Sequence, residues 1–249
     1  MRLWRKNKEV VIHCYTDRAE VYNYFPVVIN KKIFPEWFKK LKKPYFRTPE
    51  DAVTNLKACS GFIGLFNVGF TIPMWSDLFL EIGEEGSDQY RWQYSDQCSE
   101  MGQHSEKEYG DYFKKTEYQH LKLISPWVIN CDENIDFLAV EPFWQFKTLG
   151  NISILPGVVN FNFQASTHIN LFVKREKVRQ EKVLSAGNPI YTYVPITERP
   201  ILIQTHLVSS EKLKNFRRKA HRAKFINSYA TTARLIKIKG CPYKVDVED

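Results

Sequence analysis

His104, Glu106 and a later His168 are the residue types a two-histidine, one-carboxylate iron site uses, with one imidazole and the carboxylate on a strand edge and the second imidazole across a barrel. His104 falls in the polar run from Gln97 to Gln119, and first-row metals demand convergent donors. The competing reading is a surface histidine plus a strand histidine bonded to backbone, and no cofactor is expected. The histidines show no His-x-His or His-Glu-x-x-His spacing. Asp132, Glu133 and Asp136 share the acidity of a calcium loop but lack its glycine and its terminal bidentate glutamate, which reads as a solvated turn. No nucleophile elbow, phosphate-cradling loop or dinucleotide fingerprint occurs, so no catalytic residue is assigned. Trp75, Trp92, Trp127 and Trp144 are of a type that can line a ligand cleft, but aromatic residues in a β core are the commoner case.

A second chemistry is electrostatic. Lys212, Lys214, Arg217, Arg218, Lys219, Arg222 and Lys224 crowd residues 211–224 against Glu211 alone. Between them Leu213, Phe216, Ala220, Ala223 and Ile226 recur at three and four residues, the period of an amphipathic helix, and Ser209 or Ser210 can cap it. The seven cations suit either phosphates or an acidic protein face. No aromatic side chains interleave with them as single-strand binding requires, so a protein partner is favoured over nucleic acid. Any DNA binding is expected to be weak, non-specific and steeply salt-dependent.

These groups must be positioned by strands. The 249-residue chain is rich in Phe, Tyr and Trp, which pack well on pleated surfaces. Ile72–Ile82 and Tyr90–Ser95 read as a hairpin across Gly83 to Asp88; Leu121–Val128, Phe137–Phe146 and Pro156–Ile196 read as further strands, with hairpin-like corners at Pro156-Gly157 and Gly187-Asn188. Lys31–Pro49 reads as a short helix and loop on the sheet surface, Gln97–Gln119 as a long polar loop or short helix, and Ala233–Asp249 as a terminal strand or ordered tail. Ala58–Ser76 holds no charge over 19 residues, but Gly61, Gly64, Gly69 and Pro73 suit a buried strand, turn and strand rather than a membrane helix. Residues 1–47 carry 12 Lys/Arg against 4 Asp/Glu, residues 48–210 carry 13 against 20, and residues 211–249 carry 11 against 4. Basic ends can meet the acidic middle of another copy. Five unpaired-looking cysteines and the short apolar run Val10-Val11-Ile12 imply reduced thiols and no secretory leader.

The segment Leu155-Pro156-Gly157-Val158-Val159-Asn160-Phe161-Asn162-Phe163, followed by the Gly187-Asn188 turn, resembles the third conserved block of trimeric dUTPases, which implies a β-clip fold over about Ser125 to Ile196. The catalytic residues do not carry over: Asn160 stands where that family has an acid, and Glu141-Pro142-Phe143-Trp144 replaces its Pro-Arg-Ser. Cys59-Ser60-Gly61-Phe62, Ile72-Pro73-Met74-Trp75-Ser76-Asp77, Leu121 to Trp127 and Ala186-Gly187-Asn188-Pro189 resemble an uncharacterised tailed-phage protein family with distant bacterial relatives, which implies a structural or accessory role.

The expectation is therefore a mainly β chain: a basic N-terminal arm over 1–49 packed on the core, a jelly-roll or β-clip sandwich over 50–208, and a basic helix and tail over 209–249. Its expected function is non-enzymatic phage assembly, in the virion or the host cytoplasm. Its expected partners are other copies of itself or other phage structural proteins, with no membrane. The alternative is a ligand-binding or enzymatic jelly roll with a nucleotide or non-haem metal pocket.

Overall fold

The computed structural model describes residues 8–44, 55–102, 109–110, 112–142, 144, 149–162 and 166–217. The apolar run Val10-Val11-Ile12 opens β1 (Val10–Thr16), whose Val10, Ile12 and Cys14 face the core while His13 and Tyr15 face the other way. Then come β2 (Val28–Ile29), β3 (Phe70–Pro73), β4 (Leu78–Ile82), β5 (Tyr90–Tyr94) and β6 (Glu100–Gly102). The long β7 (Tyr118–Cys131) precedes β8 (Asp136–Val140), β9 (Ile152–Ile154), β10 (Gly157–Asn160), β11 (Ser166–Lys174), β12 (Gln180–Leu184), β13 (Pro189–Pro195) and β14 (Ile201–Leu207). Helices α1 (Ala19–Tyr24), α2 (Glu36–Lys40) and α3 (Ser60–Asn67) interrupt the early strands.

The chain is mainly β. A six-stranded sheet runs β14-β1-β7-β11-β9, with β6 also on β7; a five-stranded sheet runs β10-β8-β13-β3-β2; a three-stranded sheet runs β12-β4-β5. Pairing is antiparallel except for β1 with β14, which lie parallel from Val10↔Ile201 to Thr16↔Leu207. All three sheets contribute to one core, a sandwich-like arrangement in which Ile12, Leu123 and Leu171 meet Phe70, Phe137 and Tyr193 and also Leu78 and Leu80. Within it Phe70, Phe137, Phe161 and Tyr193 form a knot with ring centroids 5.0 to 6.2 Å apart. Such pairs add about 0.5–1.5 kcal/mol each beyond burial.

Several expectations change here. The segment 1–49, expected as a basic arm packed on the core, supplies β1 between β14 and β7 of the six-stranded sheet, with Val10, Ile12 and Cys14 turned to the core. Ala58–Ser76 is not strand, turn and strand: its first half is α3, started by the Cys59 sulfur accepting from Phe62 N at 3.4 Å. Phe62 and Phe66 then join Phe34, Phe38 and Trp144 in an aromatic group. Gly69 follows with φ +77°, where a Cβ would stand 2.2 Å from the Tyr193 carbonyl oxygen.

The hairpin of β4 with β5 forms as expected, but Ile72–Ile82 is not one strand. It breaks where Met74 exchanges backbone bonds with Gly187 and Asn188, both at 2.8 Å, and where Asp77 accepts from Ala186 N at 2.7 Å. The corners at Pro156-Gly157 and Gly187-Asn188 are not hairpins either. The first carries the chain from β9 to β10 and the second from β12 to β13, each a change of sheet.

A buried cation locks the loops at one end. Arg175, 2 % exposed, donates to the carbonyls of Lys115 (2.7 Å), Gly83 (3.0 Å) and Gln89 (2.8 Å) and to the Gln119 side chain (2.9 Å). The fork geometry of guanidinium suits four acceptors arriving from both ends of the β4–β5 loop, from the segment before β7 and from β7 itself. Arg175→Met keeps the volume but strands three carbonyls, and is expected to lower stability by about 3–5 kcal/mol in urea denaturation, with Arg175→Lys recovering little of it.

Candidate protein-interaction surface

From Leu149 to Val173 the sequence holds no Asp, Glu, Lys or Arg. That segment makes β9, an edge of the six-stranded sheet, then crosses at Leu155-Pro156 and makes β10, an edge of the five-stranded sheet. The two edges thus share one side of the sandwich. Leu155 is 40 % exposed and Val158 58 %. Val158 stands opposite Leu138, itself 41 % exposed, and Leu138 opposite Val194, so an apolar row crosses β10, β8 and β13.

Natural sheets blunt their edges with charge, proline, brevity or a covering element. The other edges here follow that rule. Helix α1 packs against β14, β2 is two residues long, and β5 and β12 carry Arg91, Glu181 and Lys182. On β9 the outward N–H of Ile154 donates to the Glu141 carboxylate at 3.3 Å. Among the described residues β10 has β8 as its one ladder partner, and Pro156 guards only its start.

Several polar clusters outside this side bond within the fold. Ser99 Oγ donates to Asp96 at 2.7 Å and accepts from Trp75 Nε1 at 2.9 Å and Arg18 at 3.0 Å, tying the start of α1 to the loop after β5. Burial pushes Asp96 up, but bonds from Ser99, Cys98 and Ser76 outweigh it and hold the carboxyl below its ordinary value. Asn160 donates to Asn134 (2.9 Å) and Asp136 (2.8 Å), closing β10 on β8. Glu133 receives a forked pair from Arg199, and Asp132 accepts from Asn130. The acidic turn is therefore spent on bonds within the fold, and among the described residues no three donors converge as a metal site. Trp75, Trp127 and Trp144 are buried; Trp92 is 39 % exposed beside Tyr94.

His104 and Glu106 lie outside the described residues. His168 sits on β11 opposite Ile124, four pairs along from the His120–Phe172 pair, so the two imidazoles on that face stand roughly 13 Å apart at the strand rise of ~3.3 Å. Of the basic segment, Lys212, Lys214 and Arg217 lie within the helical residues 210–217, whereas Arg218, Lys219, Arg222 and Lys224 lie outside the described residues, as do 218–249 altogether. Ser209 Oγ accepts from Lys212 N at 3.3 Å as the cap. Leu213 and Phe216 are buried on Tyr15 and Val128, and Lys214 is left exposed.

Sequence reasoning missed what sits beneath this docked turn. His13 Nδ1 lies 3.0 Å from His206 Nε2, Tyr15 stacks on His206 at 4.8 Å, and Phe216 stacks on Tyr15 at 4.5 Å. Parallel pairing of β1 with β14 makes this stack, and local sequence carries no sign of it. Burial, then the neighbouring His13 and Lys212, holds His206 below its ordinary 6.5. Tyr15 is pushed up to about 12 by burial and then by Asp132 and Cys14. No family model, curated protein or solved structure matches this chain.

A depressed imidazole disfavours protonation in the docked state, so its contribution to docking is complete above about pH 6.5 and is lost as pH falls through the lowered value. Hydrogen exchange of residues 210–217, corrected for intrinsic rates, is expected to speed up between pH 7.5 and 5, and His206→Phe is expected to flatten that dependence while keeping the stack.

Proposed function

We propose that this chain is a non-enzymatic assembly component, a phage structural or accessory protein of the virion or host cytoplasm, which works by binding other protein chains. The observation that carries this reading is the unguarded β10 edge with its apolar row Val158, Leu138 and Val194. An uncharged strand with unpaired backbone groups is a standing template for another strand. The phage origin rests on the motif resemblance around Cys59, Ile72, Leu121 and Ala186. A jelly-roll or β-clip class belongs to the same proposal, supported by the sheet-changing corner at Pro156-Gly157.

The basic segment that begins with Lys212, Lys214 and Arg217 offers a second contact, complementary to the acidic middle of a neighbouring chain. Internal bonding of Arg175, Asp96, Asn160 and Glu133 supports surfaces over a catalytic centre. Mass spectrometry of purified particles is expected to find the chain as a stoichiometric component, and deleting Ser210 to Asp249 is expected to reduce its incorporation. A chain absent from every particle fraction overturns the reading. Thermal-shift screens with nucleotides, divalent metals and 2-oxo acids are expected to leave the melting temperature unchanged, since a bound ligand stabilises the native state by mass action. A clear shift favours the ligand-binding alternative.

A further inference from the structure

The backbone of β10 has a direction that the ladder fixes. Ile196 N donates to Asp136 O at 2.9 Å, so Asp136, and with it Leu138, turns its N–H and C=O toward β13. Phe137 and Ala139, alternating with them, turn theirs toward β10, where they face Val159 and Gly157. Val158 therefore points its N–H and C=O away from the sheet, with its side chain more than half exposed.

We infer that the partner of this edge is a second copy of the same chain, joined antiparallel through β10 about a two-fold axis at Val158. Resting on the assembly reading, this names the partner that the edge takes first. At the axis each Val158 donates its N–H to the other's C=O, and the row Val194–Leu138–Val158 runs on into the same row of the second copy. Charge selects the copy over an unrelated chain. A two-fold contact sets each group beside its own kind, so every charge near the axis meets its like, and the chain carries +8 overall. The stretch from Leu149 to Val173, free of Lys, Arg, Asp and Glu, meets itself without that repulsion. Closure also uses up the edge: one two-fold contact leaves β10 no free flank for further addition.

Native mass spectrometry and sedimentation of the full chain are expected to give a dimer. Val158→Lys puts two like charges at the axis, and Val158→Pro deletes the outward donor while leaving the bonds to β8 alone. Each is expected to raise the dimer dissociation constant roughly 30-fold or more with unchanged circular dichroism and melting of the monomer. Should either variant disturb folding, Val158→Cys, in a chain with Cys59→Ser, Cys98→Ser and Cys241→Ser, is expected to cross-link on mild oxidation, since facing residues in such a pair stand about 5.5 Å apart at Cα. Raising salt from about 0.1 M to about 1 M shortens screening from ~10 Å to ~3 Å and is expected to tighten the dimer, whereas docking of basic ends on an acidic middle loosens.

A monomer at all concentrations, or a dimer indifferent to the Val158 variants and free of cross-link, overturns the inference. The two proposals fail separately. A monomer that still enters particles leaves assembly standing without self-pairing, and a Val158-dependent dimer found in no particle leaves self-pairing standing without assembly.

Discussion

A link of two residues, Leu155 and Pro156, joins strands of different sheets, and most of what the molecule offers to a partner follows from it. So short a crossing holds the last strand of one sheet beside the last strand of the other. Proline suits the place because it brings no N–H to satisfy, and the Leu155 carbonyl is taken by the Tyr191 hydroxyl at 2.9 Å. The uncharged segment is thus pinned along one flank with no freedom to fold inward. Glu141 blunts one of the two edges, and among the described residues nothing comparable blunts the other.

Turn chemistry was legible in the sequence; sheet membership was not. Pro156-Gly157 and Gly187-Asn188 announce reversals, since proline fixes φ and Gly187 takes φ +83°, but reversal is local and the choice of sheet depends on partners far along the chain. The β4–β5 hairpin was readable because its strands lie close in sequence. Helix α3 was not: its glycines argue against a helix, and the tertiary aromatic group around Phe66 outweighs that propensity. At the candidate surface the absence of charge can be read directly, but its location on a flank needs the strand order.

The basic helix shows the same division. Spacing alone marks Leu213 and Phe216 as an apolar pair, and they are buried. Their seat, Tyr15 and Val128 from β1 and β7, lies nearly 200 and nearly 90 residues away and leaves no local trace. The His13–His206 pair beside it is likewise made by long-range pairing, which is why six histidines without any motif spacing still yield a coupled pair. Arg175 belongs to this class too: its acceptors come from the two ends of the β4–β5 loop, the segment before β7 and β7 itself, so an arginine in a charged tract gave no hint of burial.

The parallel ladder of β1 with β14 has a consequence for biosynthesis. β1 leaves the ribosome about 190 residues ahead of its neighbour β14, with which it pairs from Val10↔Ile201 onward. Its Ile12 and Cys14 must therefore wait, uncovered on that flank, until β14 has been translated. Co-translational collapse has to spare an aggregation-prone nascent strand for many seconds at ribosomal rates of about 5–20 residues per second. Chaperone demand in the producing cell is then set by the order of the strands along the message, independently of how stable the finished sandwich is.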